Sequence, residues 1–136
     1  MATYISIELR RLVANRANGR CEYCLIPESD SYAIHEVDHI YAEKHGGKTS
    51  EDNLCLSCWI CNRLKGSDLT SLDPLTGEIT PLFHPRRDEW AAHFQLDGAL
   101  ISALTPQGRV TVNLLQLNRQ RRINERQILI DLGEYP

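Results

Sequence analysis

Four cysteines stand at positions from which their thiolates can converge on one metal ion. Cys21 and Cys24 form one Cys-x-x-Cys pair, and Cys58 and Cys61 form a second. Zinc prefers tetrahedral thiolate coordination, and two such turns supply four ligands. Four unrelated buried thiols would have no reason to pair at this spacing twice. We therefore expect a structural Zn2+ site, closed to substrate, with Cys55 left over as a buried thiol.

A second group of residues with different chemistry lies between and beside the cysteine pairs. Asp38, Asn53 and Asn62 offer oxygen atoms, which are the ligands of hard cations such as magnesium or manganese. His39 adjoins Asp38, and an imidazole near neutrality is a suitable general base for water. Alone, His39 would more simply be a strand histidine with a satisfied hydrogen bond. Its neighbours favour hydrolysis of a phosphodiester, for which one base and one divalent cation are sufficient.

The order of these residues resembles that of the HNH (ββα-metal) endonuclease family. The resemblance covers Arg20 to about Asp68 and is carried by the segments RCEYC, EVDHI, HGGKTSEDNL and CWICNRLKGSD. It implies an α+β fold with a ββα-metal (HNH/His-Me finger) core and zinc knuckles. A helix would precede this core, and a hairpin with helices would follow it. The resemblance also implies hydrolysis of DNA.

The same resemblance implies a role for each residue of the site. His39 matches the general base, Asp38 the adjacent metal ligand, and Asn53 the asparagine that pins the loop and orients the base. Asn62 stands where many members carry a metal-binding histidine, so the chain reads as a His-Asn-Asn variant. An amide oxygen suits Mg2+ better than imidazole does. We therefore expect Mg2+ or Mn2+ as the catalytic cation, held by Asp38 and Asn62.

The elements that position these residues are predicted in the order strand, loop, strand, helix. Tyr32 to Ile40 is rich in β-formers and is the predicted first strand, and Leu54 to Ser57 is the second. The loop from His45 to Asp52 lies between them. Cys58 to about Lys65 is the predicted helix, which ends at Gly66.

Two acidic residues and one histidine set a geometric requirement on the first predicted strand. Neighbours on a strand point to opposite faces. The strand must therefore end or distort at His39 if both Asp38 and His39 serve one site. Glu36 shares the face of Asp38, which makes it a candidate for a supporting group or an alternative ligand.

The whole chain, residues 1–136, is predicted to be one HNH endonuclease domain, with its core at about 18–68 and an extension at about 69–136. A first helix is expected from Ser6 to about Ala17, with Ser6 as its N-cap. Further predicted elements are a short strand at Glu78 to Thr80, a hairpin of Trp90 to Gln95 and Ala99 to Leu104, and a helix that begins at Thr105-Pro106.

A last amphipathic helix is predicted from apolar residues at helical spacing, namely Ile123, Ile128 and Leu132. Four arginines lie between and before them: Arg119, Arg121, Arg122 and Arg126. We interpret these arginines as a solvated polar face, in preference to a nucleic-acid contact.

The composition is that of an ordinary globular protein, with 42% hydrophobic and 24% charged residues. No apolar run approaches the roughly 20 residues that span a bilayer, so no membrane contact is expected. The first residues include Glu8 and paired arginines, which is unlike a secretory signal. We therefore expect a cytoplasmic protein, in whose reducing surroundings five cysteines are not a disulfide framework.

The net charge of −3 is unhelpful for binding nucleic acid, although a local basic surface can coexist with it. Four cations flank the proposed site and are candidates for contacts with the DNA backbone: Lys44, Lys48, Arg63 and Lys65. Trp59 is expected to pack against the first helix in preference to stacking on a base.

Two alternatives to a DNA endonuclease remain at this point. The first is a non-catalytic zinc module that binds nucleic acid or a protein partner, motivated by the His-Asn-Asn departure and the acidic net charge. The second is a nuclease that acts on RNA, for which the chain offers no aromatic-rich platform. The sequence does not indicate a recognition site or an oligomeric state.

Overall fold

The structure is a computed structural model that describes residues 3–28 and 34–136. It combines α-helices with two-stranded antiparallel sheets, of which the described residues form three. In chain order the elements are α1 (Ile7–Arg16), β1 (Glu36–His39), a 3-10 turn (Glu43–His45), β2 (Leu54–Ser57), α2 (Trp59–Lys65), β3 (Thr70–Leu72), β4 (Ile79–Pro81), α3 (Trp90–His93), β5 (Phe94–Asp97), β6 (Leu100–Ala103), α4 (Pro106–Leu114) and α5 (Gln120–Asp131).

Helix α1 begins where the sequence predicts. The Ser6 hydroxyl accepts a hydrogen bond from the Leu9 backbone N–H at 3.2 Å, which satisfies one of the free donors at the helix start. Val13 is fully buried and packs in a small cluster with Ile5, Leu54 and Leu56. The apolar side of α1 therefore covers β2 at its outer face.

Strands β1 and β2 pair over four residues, from Glu36 opposite Ser57 to His39 opposite Leu54. The second predicted strand and the following helix are confirmed, with Cys58 as the N-cap of α2. The first strand is shorter than predicted because β2 offers only four partners. Of its predicted N-terminal part, residues 32 and 33 lie outside the described residues, and 34 and 35 are not in a strand.

A buried lysine joins α2 to the end of β1. Lys65 is 2% exposed, and its ammonium donates to the carbonyl of Ile40 at 2.8 Å. It also lies 3.5 Å from the carbonyl of His39. Since Ile40 follows the last pair of the ladder, His39 with Leu54, Lys65 provides its carbonyl with a donor beyond the end of the strand pairing.

The hairpin of the extension turns at Asp97-Gly98 as predicted, but its first strand begins later than expected. Trp90–His93 forms one helical turn, α3, and the strand starts at Phe94. The Trp90 indole N–H donates to the carbonyl of Tyr23 at 2.9 Å. This hydrogen bond joins Trp90 to the first cysteine turn, while the Trp90 ring packs on Phe94 at the start of β5 with ring centroids 5.1 Å apart.

The prediction that the four arginines of the last helix form a solvated polar face is confirmed for Arg119 and Arg121, which are exposed, and is wrong for Arg122 and Arg126. Arg122 and Arg126 are 5% and 1% exposed, whereas Ile128 and Leu132 are 61% and 65% exposed. The buried guanidinium groups find carbonyl acceptors: Arg122 donates to Leu115 at 2.6 Å and Arg126 donates to Ala99 at 2.7 Å. Hydrogen bonds of this kind make the burial of arginine tolerable.

The main core brings the two cysteine turns together with the extension. Its buried members include Cys21, Tyr23, Cys24, Cys58, Cys61, Phe83, Phe94, Ile101, Leu115 and Leu117. Residues far apart in sequence therefore share one apolar interior. Among the described helices, none has the length and apolar character required to cross a membrane.

Candidate metal centre and active site

The four predicted cysteines converge at the centre of the molecule. Their sulfur atoms all lie within 4.8 Å of one another, and all four residues are buried. The Cys24 and Cys58 sulfurs are 3.8 Å apart, which is the separation that tetrahedral zinc with bonds of about 2.3 Å requires. A disulfide would bring two sulfurs to about 2.05 Å. The cluster fits a structural zinc site.

Arg122 lies against this cluster from α5. Its guanidinium donates to the Cys61 sulfur at 3.0 Å and reaches the Cys58 sulfur at 3.8 Å. Burial disfavours the charged guanidinium, but the Cys61 and Cys24 thiolates outweigh burial and raise the pKa of Arg122. A zinc ion held by four thiolates would carry net negative charge, which this arginine would partly offset. The sequence does not indicate this contact, because no local pattern joins residues 61 and 122.

Cys55 is the remaining thiol and is fully buried, as predicted. Burial raises its pKa to about 12, so it is a thiol and not a thiolate at neutral pH. Its sulfur lies 3.7 Å from the hydroxyl of Tyr23. Cys55 is therefore a core side chain that is separate from the four-cysteine cluster.

Asp38 occupies β1 directly opposite Cys55. Its Oδ2 atom is buried and has no hydrogen-bond partner among the described residues. Burial raises the pKa of Asp38, and the nearby Lys65 ammonium opposes part of that rise. Burial of a carboxylate oxygen without a hydrogen-bond partner lowers the stability of the fold. Such an oxygen is, however, a suitable ligand for a hard cation. Asp38 thus fits the metal-binding role that the sequence suggested.

Asn62 lies on α2 and reaches across to β1. Its side-chain amide nitrogen contacts Glu36 Oε2. Because a carboxylate only accepts hydrogen bonds, this contact turns the amide so that its Oδ1 points away from Glu36. Glu36 and Asp38 share one face of β1, so α2 brings Asn62 to the face that carries Asp38. Glu36 is a supporting contact of Asn62 in this arrangement.

Strand β1 ends at His39, which relieves the conflict between neighbouring residues that should serve one site. Nε2 of His39 lies 2.8 Å from Thr49 Oγ1 and 3.4 Å from Glu43 Oε1. Within the described part of the chain, every hydrogen-bond contact of the ring is made through Nε2. Nδ1 is thereby left for a water molecule.

Asn53 holds the loop that follows His39. Its Oδ1 accepts from the Tyr41 backbone N–H at 2.9 Å, and its Nδ2 donates to the carbonyls of Tyr41 and Lys48 at 3.0 and 2.8 Å. Gly47 packs so tightly in this loop that an added Cβ would lie 1.7 Å from the Tyr41 carbonyl oxygen. The loop is therefore closed by hydrogen bonds from the Asn53 side chain to the backbone of Tyr41 and Lys48.

Three of the four predicted phosphate contacts lie at the surface: Lys44, Lys48 and Arg63. Lys65 is buried, so its predicted contact with DNA is wrong. Trp59 is 45% exposed, and the Arg63 guanidinium lies 5.5 Å from its ring centre. Trp59 is not among the side chains that pack on the buried cluster of α1 and β2, and the Trp59–Arg63 pair instead adds to the exposed surface of α2.

Comparison with protein families gives one match. A model described as HNH endonuclease matches residues 21–68 of the 136 residues. The matched segment contains both cysteine pairs together with Asp38, His39, Asn53 and Asn62. The match suggests nuclease activity and a nucleic-acid substrate. No curated protein and no solved structure gave a significant match.

Proposed function

We propose that this protein is a metal-dependent HNH endonuclease that hydrolyses DNA phosphodiester bonds. In this proposal β1, β2 and α2 form the ββα-metal core, and Zn2+ on the four cysteines holds that core together. The observation that carries the proposal is the buried Oδ2 of Asp38, which has no hydrogen-bond partner among the residues that the structure describes. It lies beside His39 on β1, and Asn62 approaches the same face of the strand.

His39 acts as the general base at Nδ1. It takes a proton from a water molecule while the water oxygen attacks the backbone phosphorus and the 3′ oxygen leaves. Asp38 and Asn62 supply oxygen ligands for Mg2+ or Mn2+, a donor set that this cation prefers and usually completes with water and phosphate oxygens. A bound cation would stabilise negative charge on the phosphate and on the departing oxygen. Asn53 supports the base by closing the loop after His39.

The substrate surface in this proposal lies around α2 and the loop after β1. Lys44, Lys48 and Arg63 are exposed there and would contact the phosphate backbone. The five cysteines form no disulfide with one another, which is in keeping with a cytoplasmic location as part of the same proposal.

Plasmid nicking tests this function. Purified zinc-loaded protein is expected to nick plasmid DNA with Mg2+ or Mn2+ and not in metal-depleted buffer. His39→Ala should lower the rate by at least about 10²-fold, the scale of a lost general base. Zinc content, measured by mass spectrometry, should be unchanged because the His39 ring contacts Thr49 and Glu43 and is not part of the sulfur cluster.

His93→Ala is the matched control, since His93 lies on α3 of the extension, where its Nδ1 is 2.6 Å from Thr105 Oγ1 and outside the proposed substrate surface. It should nick at close to the wild-type rate. A His39→Ala preparation that cleaves as fast as wild type would contradict the mechanism. The same assay on RNA decides between the two nucleic acids.

A non-catalytic zinc module is the second candidate function. The closed sulfur cluster lies in the core and requires no catalytic partner, so zinc binding alone is compatible with either function. Absence of nicking with several divalent metals, together with retained DNA binding in a gel-shift assay, would favour the module.

A further inference from the structure

We infer that Glu43, acting through the hydroxyl of Thr49, is a positioning residue for His39. The pair sets the ring orientation and the tautomer of His39, with the proton on Nε2 and the lone pair of Nδ1 facing the water. This inference rests on the proposed function only in treating His39 as the base. The contacts themselves are independent of that function.

Three side chains form a continuous chain of contacts behind the histidine ring. His39 Nε2 lies 2.8 Å from Thr49 Oγ1, and the Thr49 hydroxyl donates to Glu43 Oε1 at 3.3 Å. Glu43 Oε1 is itself 3.4 Å from Nε2. The hydroxyl distance is the shorter of the two to the ring and lies in the normal hydrogen-bond range, so the carboxylate acts on His39 mainly through Thr49.

The directions of these hydrogen bonds follow from the number of protons available. A carboxylate only accepts, and the Thr49 hydroxyl has a single proton to donate. Once that proton is given to Glu43, Thr49 can only accept from His39, which requires an N–H at Nε2. Glu43 is ionised at neutral pH even with its ordinary pKa, and hydrogen bonds from Thr3 and Thr49 lower that pKa further.

The loop geometry holds Glu43 and Thr49 in place before any substrate binds. Glu43 opens the 3-10 turn Glu43–His45, and the Thr3 backbone N–H donates to its Oε1 at 3.2 Å. Thr49 directly follows Lys48, whose carbonyl accepts from Asn53. Glu43 and Thr49 thus lie on either side of residues 44–48, within the loop that the Asn53 side chain closes. A base held by such contacts needs little reorganisation when it takes a proton.

Nuclear magnetic resonance of the histidine side chains tests the inference without substrate or Mg2+. Long-range proton–nitrogen spectra of the full-length, zinc-loaded protein report which ring nitrogen carries the proton, and His39→Gln identifies the His39 signals. Wild type is expected to show the proton on Nε2. Thr49→Val keeps the shape of the side chain but removes the hydroxyl, and should give a mixture of tautomers. Thr49→Ser should retain the wild-type tautomer.

Thr70→Val is the matched control, because Thr70 is an exposed threonine on β3. It should leave the His39 signals unchanged. Glu43→Gln retains the size of the side chain but lets an amide donate toward Thr49, so it should shift the tautomer as Thr49→Val does. A wild-type tautomer in both Thr49→Val and Glu43→Gln would overturn the inference.

Nicking kinetics give the second readout. Thr49→Val should lower kcat by about 10–100-fold with little change in KM, since contacts that orient a functional group typically have effects of this size. Thr49→Ser should restore kcat to within a few-fold of wild type. Unchanged kcat in Thr49→Val would also overturn the inference. A wild-type protein that does not nick DNA overturns the proposed function instead, and the tautomer measurement still decides on Glu43 and Thr49.

Discussion

At the scale of single residues, the Asp38 carboxylate lowers the stability of the fold through its burial and offers a candidate ligand atom for a cation. The cost arises because Oδ2 is buried without a hydrogen-bond partner among the described residues. Lys65 lowers that cost only in part, since burial remains the larger influence on the carboxyl group. A residue of this kind is expected where function outweighs stability. Removing the charge of Asp38 should separate its effect on stability from its effect on metal binding.

Asp38→Asn is expected to raise the thermal midpoint of zinc-loaded, Mg2+-free protein by about 2–5 °C. Burial raises the pKa of Asp38, so the folded chain holds a proton more tightly than the unfolded chain, and the ionised form costs stability above both pKa values. The rise in thermal midpoint that the neutral amide gives should therefore reach its full size at neutral pH. It should narrow as the pH falls through the raised pKa. Thermal unfolding across a pH series measures this.

The same substitution should nearly abolish Mg2+-dependent nicking, because the amide is a weaker ligand than the carboxylate. Asp97→Asn is the matched control. Asp97 is exposed beside the hairpin turn, where Asn-Gly serves as well as Asp-Gly. It should change neither the thermal midpoint nor the nicking rate. Equal midpoints for Asp38→Asn and wild type at all pH values would show that the buried carboxylate carries no cost in stability.

At the scale of elements, α5 shows where hydrophobic periodicity is a poor guide. Its apolar residues Ile128 and Leu132 face outward, and two arginines face the core. Arginine can do so here because the carbonyls of Leu115 and Ala99 and the Cys61 sulfur all accept from it. The helix therefore docks through charge-assisted hydrogen bonds, from Arg122 to the cysteine cluster and from Arg126 to the turn of the hairpin.

Arg122→Met is expected to lower zinc affinity by about 10–100-fold, as loss of a contact to a metal ligand typically does. Methionine fills much of the same space but donates nothing to Cys61. Competition with a chelating dye measures the affinity. Arg121→Met is the control, since Arg121 is the exposed neighbour on the same helix. The same zinc affinity in both variants would show that the Arg122 contact does not support the metal.

At the scale of the whole molecule, the sulfur cluster joins the start of the chain to its end. Tyr135 is buried, and its hydroxyl donates to the carbonyl of Cys24 at 2.7 Å across 111 positions of sequence. Arg122 makes a second such connection. Phe83 and Phe94 pack in the same core as the cysteines. These contacts lead us to propose that the core and the extension fold as one unit.

Hydrogen exchange measured by mass spectrometry tests that proposal. Removal of zinc by a chelator should increase exchange in α5 as well as in α2, because both helices depend on the same cluster. Restored Zn2+ should return protection to both. Loss of protection in α2 with α5 unchanged would indicate two independent units.

Much of the proposed site is visible in the sequence because its parts are local. A repeated Cys-x-x-Cys spacing, a Ser6 N-cap and a glycine that ends α2 each depend on a few adjacent residues, and the structure confirms the elements they predict. The order of the motifs likewise indicates where Asp38, His39 and Asn62 lie along β1 and α2. Their catalytic roles remain predictions.

Only the tertiary structure decided which groups surround those residues. The contact of Arg122 with Cys61 spans 61 positions, and that of Lys65 with Ile40 spans 25. Glu43 and Thr49 are closer to His39 in sequence, but they meet its ring only because Asn53 closes the intervening loop. Such contacts depend on how the chain closes on itself. Residue types and spacing therefore indicated the candidate metal ligands, whereas packing determined which charges and hydroxyl groups lie against them.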